Sequence, residues 1–131
     1  MAYTVATPNY PATGPANAAE TACLSGPPSF DVTGVPSGDN TRIHGVINIT
    51  PGASTTAVVV KVRRGTGVAG AQVGNTATHT LAAGASGSIP FDVTDFGAQF
   101  MSQVYSVTLT QTAGAGAGTI NQASMTVEPT Q

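Results

Sequence analysis

Thr41-Arg-Ile-His-Gly-Val-Ile-Asn-Ile-Thr50, then Pro51-Gly-Ala-Ser-Thr55, then Thr56-Ala-Val-Val-Val-Lys-Val-Arg-Arg-Gly65, is the stretch whose reading decides the fold. Ile43, Ile47 and Ile49 fall on one face of the first arm, with Gly45 between them. Val58, Val60 and Val62 fall on one face of the second. That period of two is the mark of strands with one buried side. Pro51-Gly52 suits a turn, because proline fixes the first corner and glycine accepts the second. The pattern therefore predicts a long β-hairpin. Each arm has about ten residues at about 3.3 Å each, so roughly 33 Å. Such a hairpin needs other strands over its apolar face.

Working outward, the C-terminal half supplies them. Strands are predicted at Asn75–Leu81, at Ser88–Thr94, at Gln103–Thr112 and at Thr119–Val127. Gly84-Ala-Ser-Gly87 reads as a turn, and Gly114-Ala-Gly-Ala-Gly118 as the loop of a second hairpin. Pro90 marks the Ser88–Thr94 strand as an edge or a bulge, because proline cannot donate to a ladder. Tyr105, Val107 and Leu109 alternate with Ser106, Thr108 and Thr110. Asp95–Met101 reads as irregular or as a short helical turn. Six or seven strands with turn signals every 8–12 residues predict an all-β antiparallel sandwich, jelly-roll-like in character.

Residues 1–39 have a different texture. They hold six of the nine prolines, Pro8, Pro11, Pro15, Pro27, Pro28 and Pro36, interleaved with Gly14, Gly26, Gly34 and Gly38. Prolines at this density exclude helix interiors and central strands. The reading is an extended arm, with short strands at Tyr3–Ala6 and Phe30–Thr33 and a helical turn or two over Ala16–Cys23. The domain division is thus 1–39 arm and 40–131 sandwich. Pure linkers rarely carry Tyr3, Tyr10, Leu24 and Phe30 at intervals. These residues mark an arm that lies along a surface, its own or a neighbour's.

Only 8% of the 131 residues are Asp, Glu, Lys or Arg, against about 25% in ordinary soluble domains. Charge normally guards strand edges and keeps surfaces apart. A chain that omits it buries much of its surface against partners or lives at low free concentration. The formal net charge of −2 excludes the basic footprint of a nucleic-acid binder. No apolar run approaches the length of a membrane span. Met1-Ala-Tyr-Thr-Val has neither the basic start nor the apolar core of a signal peptide. The single cysteine, Cys23, reads as a small buried side chain rather than a reactive thiol.

Several motifs reduce to blander chemistry. Gly65-x-Gly67-x-x-Gly70 matches a dinucleotide fingerprint, but the following residues are too few for the helix that must meet a pyrophosphate, and Asn75–Leu81 is β-like. It reads as a glycine-rich strand connection. Ser86 lacks the spacing of a nucleophile elbow. His44 and His79, the two histidines, sit mid-strand without a ligand cluster or an identifiable acid partner, so neither a triad nor a metal site is assigned. One His per subunit lining an oligomer axis is the sharper alternative. Asp92 and Asp95 are too few for a calcium loop and are expected to bond nearby backbone amides at a strand end. Asn48-Ile-Thr50 is a formal glycosylation sequon inside a predicted strand. Lys61 and Arg63 share a face, with Arg64 on the other. That face is expected to be solvated, with contact to an acidic partner surface as the alternative.

His44–Thr50, Val58–Thr66, Val104–Thr112 and Gly118–Val127 together resemble the small Thr- and Gly-rich jelly-roll proteins of virus particles, notably the decoration (cement) and head-fibre proteins of tailed bacteriophages. The resemblance spans roughly residues 41–128 and leaves the Pro-rich arm outside it. It implies a sandwich that trimerises about a local axis and sits on the outer surface of a capsid, with the major capsid protein or another shell protein as partner. It carries over no catalytic residue.

The expectation is a non-enzymatic virion structural protein with no cofactor, no metal, no nucleic acid and no membrane. The assembly-contact candidates are Tyr3, Tyr10, Leu24, Phe30, Lys61 and Arg63. Two other classes stay open. One is a surface filament subunit joined by its arm. The other is a cell-surface or glycan-binding module, against which stands the scarcity of aromatics, three Tyr, four Phe and no Trp.

Overall fold

The computed structural model of the chain describes residues 3–5, 12–13, 20–25, 40–52, 56–65, 67–96, 105–111 and 118–129. In chain order the strands are β1 (Tyr3–Val5), β2 (Ala12–Thr13), β3 (Thr21–Ser25), β4 (Thr41–Thr50), β5 (Thr56–Arg64), β6 (Gln72–Leu81), β7 (Gly87–Asp95), β8 (Tyr105–Gln111) and β9 (Thr119–Pro129). Among the described residues there is no helix long and apolar enough to cross a membrane.

Two antiparallel sheets face each other. Sheet A runs β1-β9-β4-β7, with β2 also against β9. Sheet B runs β3-β8-β5-β6. Taking β1 and β2 as two pieces of one leading strand along β9, each sheet has four lanes, and from β3 onward only β5 and β6 are neighbours both in sequence and in space. Every other connection crosses between sheets. This is the strand order of a jelly roll.

The core lies between the sheets. β4 contributes Ile43, Ile47 and Ile49, β5 contributes Val58, Val60 and Val62, and β8 contributes Tyr105, Val107 and Leu109. Val73 of β6, Ile89 and Phe91 of β7, and Ile120, Ala123, Met125 and Val127 of β9 complete it. Apart from Val73, which precedes the predicted start of its strand, and Ile120, which the register shift on β9 turns inward, these are the inward sets that the alternation predicts. Gly45 faces inward opposite Phe91. A Cβ there would run into the Ser124 carbonyl oxygen and come within 2.9 Å of Phe91 Cζ, so only glycine lets the backbone and the ring approach so closely.

The predicted hairpins are where the structure departs from the sequence reading. β4 pairs with β7 and β9, and β5 with β6 and β8. The two arms of Thr41–Gly65 thus lie in opposite sheets. Pro51-Gly52 begins a crossover rather than a hairpin turn. The same holds for β8 and β9, which the sequence reading joined around Gly114–Gly118. Alternation settles which face of a strand is buried, but not which strand lies beside it.

The other expected strands form within a few residues of their predicted bounds, and β7 is an edge of sheet A with Pro90 on it, as read. Ala82–Ala85 closes the turn before β7 through an Ala85 N–H to Ala82 carbonyl bond of 3.1 Å. Of the helical turn expected over Ala16–Cys23, Thr21–Cys23 belongs instead to β3, and residues 16–19 lie outside the described set. The strand expected at Phe30–Thr33 also lies outside the described residues, as does the segment from 97 to 101. β1, β2 and β3, all drawn from the first 39 residues, take the outermost lane of each sheet on one flank.

Candidate functional site: three polar surfaces

The first surface is the outer face of sheet A. Strand register sets its rows: Asp92-His44-Thr126, then Pro90-Val46-Ser124, then Ser88-Asn48-Gln122, across β7, β4 and β9. At one end Arg42 donates through Nε and Nη2 to Asp92, at 3.0 and 2.7 Å, and lies 3.6 Å from Glu128. His44 Nε2 stands 3.2 Å from Glu128 Oε2. A shallow depression of about 480 Å³ opens here, lined by Arg42, His44, Gly45, Pro90, Phe91 and Asp92. The guanidinium hydrogen bond holds the Asp92 carboxyl below its usual range.

At the other end of this face the groups are uncharged. Asn48 donates to Ser88 Oγ at 3.0 Å, and Thr50 and Ser86 share a hydrogen bond of 2.6 Å. The register of β4 against β9 shifts after Asn48, which leaves Asn121 as an extra residue on β9. Its amide donates to Asn48 Oδ1 and Thr50 Oγ1, at 2.8 and 2.9 Å. Asn48, the residue of the formal sequon, is thus a member of this network.

The second surface lies where Glu20, just before β3, meets β5 and β8 of sheet B. Arg63 donates through Nε and Nη2 to both oxygens of Glu20, at 2.6 and 2.8 Å, and through Nη1 to the Gly70 carbonyl at 2.8 Å. Thr108 adds a hydroxyl donor to Glu20 at 2.6 Å. The two charged side chains are only 16% and 19% exposed. The Arg63 hydrogen bond, helped by Thr108 and by the charge of Lys61, draws the Glu20 carboxyl down to about 2 against the burial that opposes it. Ser106 and Thr108 sit on the outward side of β8 and are nevertheless fully buried. Glu20 reaches Thr108, while the Gly65–Gly70 connection bonds Ser106: the Ser106 hydroxyl donates to Gly65 O and accepts from Gly67 N–H, at 2.6 and 3.0 Å.

The third is a polar cluster at one end of the core. Asp95, 2% exposed, accepts a fork from Arg64 and the Tyr105 hydroxyl at 2.8 Å. Burial first, and then the bond to Asp95, pushes the Tyr105 phenol well above its usual range. Thr41 is buried at the same end.

The sequence-predicted residues are therefore scattered. Tyr3 lies in β1 opposite Val127, and Leu24 in β3 opposite Val107. Tyr10 and Phe30 lie outside the described residues. Lys61 is on the outer face of sheet B, half-buried. Arg63, expected on a solvated face, is instead covered, and its acidic partner is Glu20 of the same chain. Asp92 and Asp95, expected to bond backbone amides, serve arginines and a tyrosine. His44 faces out from sheet A, and His79 lies on edge strand β6 opposite the core residue Val58, so the two are not brought together. Cys23 packs beside the core, its thiol donating to the Val107 carbonyl at 3.1 Å. The Gly65–Gly70 motif forms the β5–β6 connection, closed by Arg64 N–H to Ala71 O at 2.9 Å. Among the described residues no group of three or more His, Cys, Asp or Glu could hold a metal.

No protein-family model matches the chain, and no curated protein matches it significantly. Solved structures do. The chain is similar to a protein in the structure of the infectious bursal disease virus Gt strain, with a TM-score of 0.64 at 9% identity over 98% of this chain and 33% of that one. It is similar to the VP2 subviral particle protein of infectious bursal disease virus, with a TM-score of 0.64 at 11% identity over 98% and 32%. A protein of the T13 particle of the same virus gives a TM-score of 0.65 at 12% identity over 98% and 31%. The chain thus spans about a third of the length of each. At these identities the likeness shows the fold: an antiparallel β-sandwich of the kind found in virus capsid proteins.

Proposed function

We propose that this chain is a non-enzymatic structural protein of a virus particle, and specifically a decoration (cement) protein that binds the outer surface of an assembled tailed-phage capsid as a trimer. The observation that carries the reading is the jelly-roll strand order, shared with proteins of icosahedral particles. The charge economy supports it. All three arginines are bonded by carboxylates of the same chain, leaving a surface of hydroxyls and amides that packs without desolvating bare charge. A protein that binds only the assembled shell stabilises it by mass action.

In this reading residues 1–39 are an arm laid over a sandwich of residues 40–131, adding the outermost lane to each sheet. Tyr3, Tyr10, Leu24, Phe30, Lys61 and Arg63 are the assembly-contact candidates. The partner is the major capsid protein or another shell protein. The test is light scattering of the full chain, followed by co-sedimentation with capsid shells. A trimer mass, pelleting with shells and a higher shell disruption temperature are expected. A monomer at roughly 100 µM that ignores shells would overturn the reading.

A further inference from the structure

The four edges of the sandwich are guarded unequally. Sheet A ends on one side in β1 and β2, pieces of three and two residues, and on the other in β7, which carries Pro90 and Asp92. Sheet B ends on one side in β3, five residues with a register shift at Cys23. Shortness, proline, charge and irregularity are the devices that stop an edge from pairing with another chain. The fourth edge, β6, has almost none of them. It is ten residues long, Gln72–Leu81, with no proline and no Asp, Glu, Lys or Arg. Its register shift lies near its start, where Gly74 takes φ +68° and a Cβ would meet Val93 at 2.8 Å. From Ala77 to Leu81 its pairing with β5 is unbroken.

From Thr76 to Leu81 the exposed positions of β6 are Thr76, Thr78 and Thr80, alternating with half-buried Ala77, His79 and Leu81, while Gln72, Gly74 and Asn75 are exposed nearer its start. Phe96, 74% exposed, stands beside it. With Gly74, Asn75, Thr76 and Ala77 it lines a groove of about 360 Å³ between β6 and β7.

We propose that β6 is a pairing edge for a second copy of this chain, β6 against β6, antiparallel about a two-fold axis, so that two four-stranded sheets become one of eight. A two-fold axis normal to the sheet keeps outer face with outer face. Each register centred between Thr76 and Thr80 therefore sets threonine opposite threonine, a favourable cross-strand pair. Centred on Thr78, it pairs Thr76 with Thr80 and Ala77 with His79. The absence of Asp, Glu, Lys and Arg on β6 is what spares self-pairing the like-charge repulsion of such residues, and the second copy covers the groove at Phe96. The contact adds to any three-fold interface. It stands without the virion reading, since it concerns two copies in solution and no shell.

The test is the concentration dependence of the mass of the full chain. Wild type should double its basal mass as concentration rises. Thr78→Lys, which sets two ammonium groups beside the axis, should weaken that step by at least about tenfold. Thr119→Lys, exposed on the opposite sheet, should leave it unchanged. A Thr78→Lys protein that doubles like wild type, or a wild type with no doubling step up to roughly 500 µM, overturns the proposal. Should Thr78→Lys fail to fold, hydrogen exchange on wild type decides: amides of Asn75–Leu81 slow with concentration if β6 pairs. Unchanged exchange there overturns it.

Discussion

Glu20 ties the start of β3 to β5 and β8, and acid should cut that tie. Its carboxyl titrates at about 2 instead of the ordinary 4.5. A carboxyl lowered by folding adds stability that is complete above the unfolded value and is lost as pH falls through the folded one, so the window runs from about pH 5 down to about pH 2. At 1.36 kcal/mol per unit, the shift sets an upper bound of about 3 kcal/mol. Low exposure of both side chains keeps salt from screening most of it. The assay is urea unfolding at several pH values in wild type and Glu20→Gln. Other carboxyls titrate in both proteins, so the difference between the curves isolates Glu20. Wild type should lose about 2–3 kcal/mol more than Glu20→Gln between pH 6 and pH 2.5, with amides of β3 losing exchange protection first. Parallel curves for the two proteins would refute the reasoning, and the Arg63–Glu20 fork would then be worth no more than a solvated surface pair.

Two further substitutions probe the interior. Asp95→Ala strips a buried carboxylate from Arg64 and from the Tyr105 hydroxyl. It should cost about 3 kcal/mol, less than a fully buried pair because the Arg64 side chain is 38% exposed, and should lower Tm by roughly 10 °C in a thermal melt. Tyr105→Phe should cost about 1.5–3 kcal/mol in urea unfolding, and combining it with Asp95→Ala should cost less than the sum, because one bond is removed twice. Gly45→Ala should cost about 3 kcal/mol or more, or leave the chain unfolded by circular dichroism, because its Cβ meets the Ser124 backbone and not only a side chain.

The strands and their buried faces were legible because period-two alternation is local and strong in β4, β5 and β8. Neighbours were not. Pro51-Gly52 is as compatible with a crossover as with a hairpin, and β4 finds β9 some eighty residues away. The Arg64–Asp95 cluster carried a usable signal that went unread. Asp95 has the parity of Ile89 and Phe91, Thr41 that of Ile43, and Arg64 that of Val62, so all three continue apolar faces inward at strand ends. Inward polar residues at the ends of three strands imply one another. Glu20 carried no comparable signal: it stands alone in an Ala- and Pro-rich stretch, and only the register of β3 against β8 brings it to Arg63 and Thr108. The burial of Ser106 and Thr108 was hidden for the same reason, since alternation alone places them in solvent.

Scarce charge and guarded edges belong to one physical problem. A sandwich exposes four strand edges, and most proteins blunt them with lysine and other charges. This chain has four basic residues and commits its three arginines to carboxylates within the fold, so little charge is left for edges. Without β1–β3, the outer lanes of both sheets on one flank would be β9 and β8, of eleven and seven residues, both rich in Thr and Ser. β1–β3 pair along β9 and β8, and their shortness and the register shift in β3 stop them from becoming pairing edges in turn. On the opposite flank Pro90 and Asp92 blunt β7. That leaves β6 as the one long edge of the described fold with no such guard. In a chain that guards three edges by three different means, an unguarded fourth is better explained by a partner than by neglect, and the uncharged threonine row on it is a surface that an identical row can match.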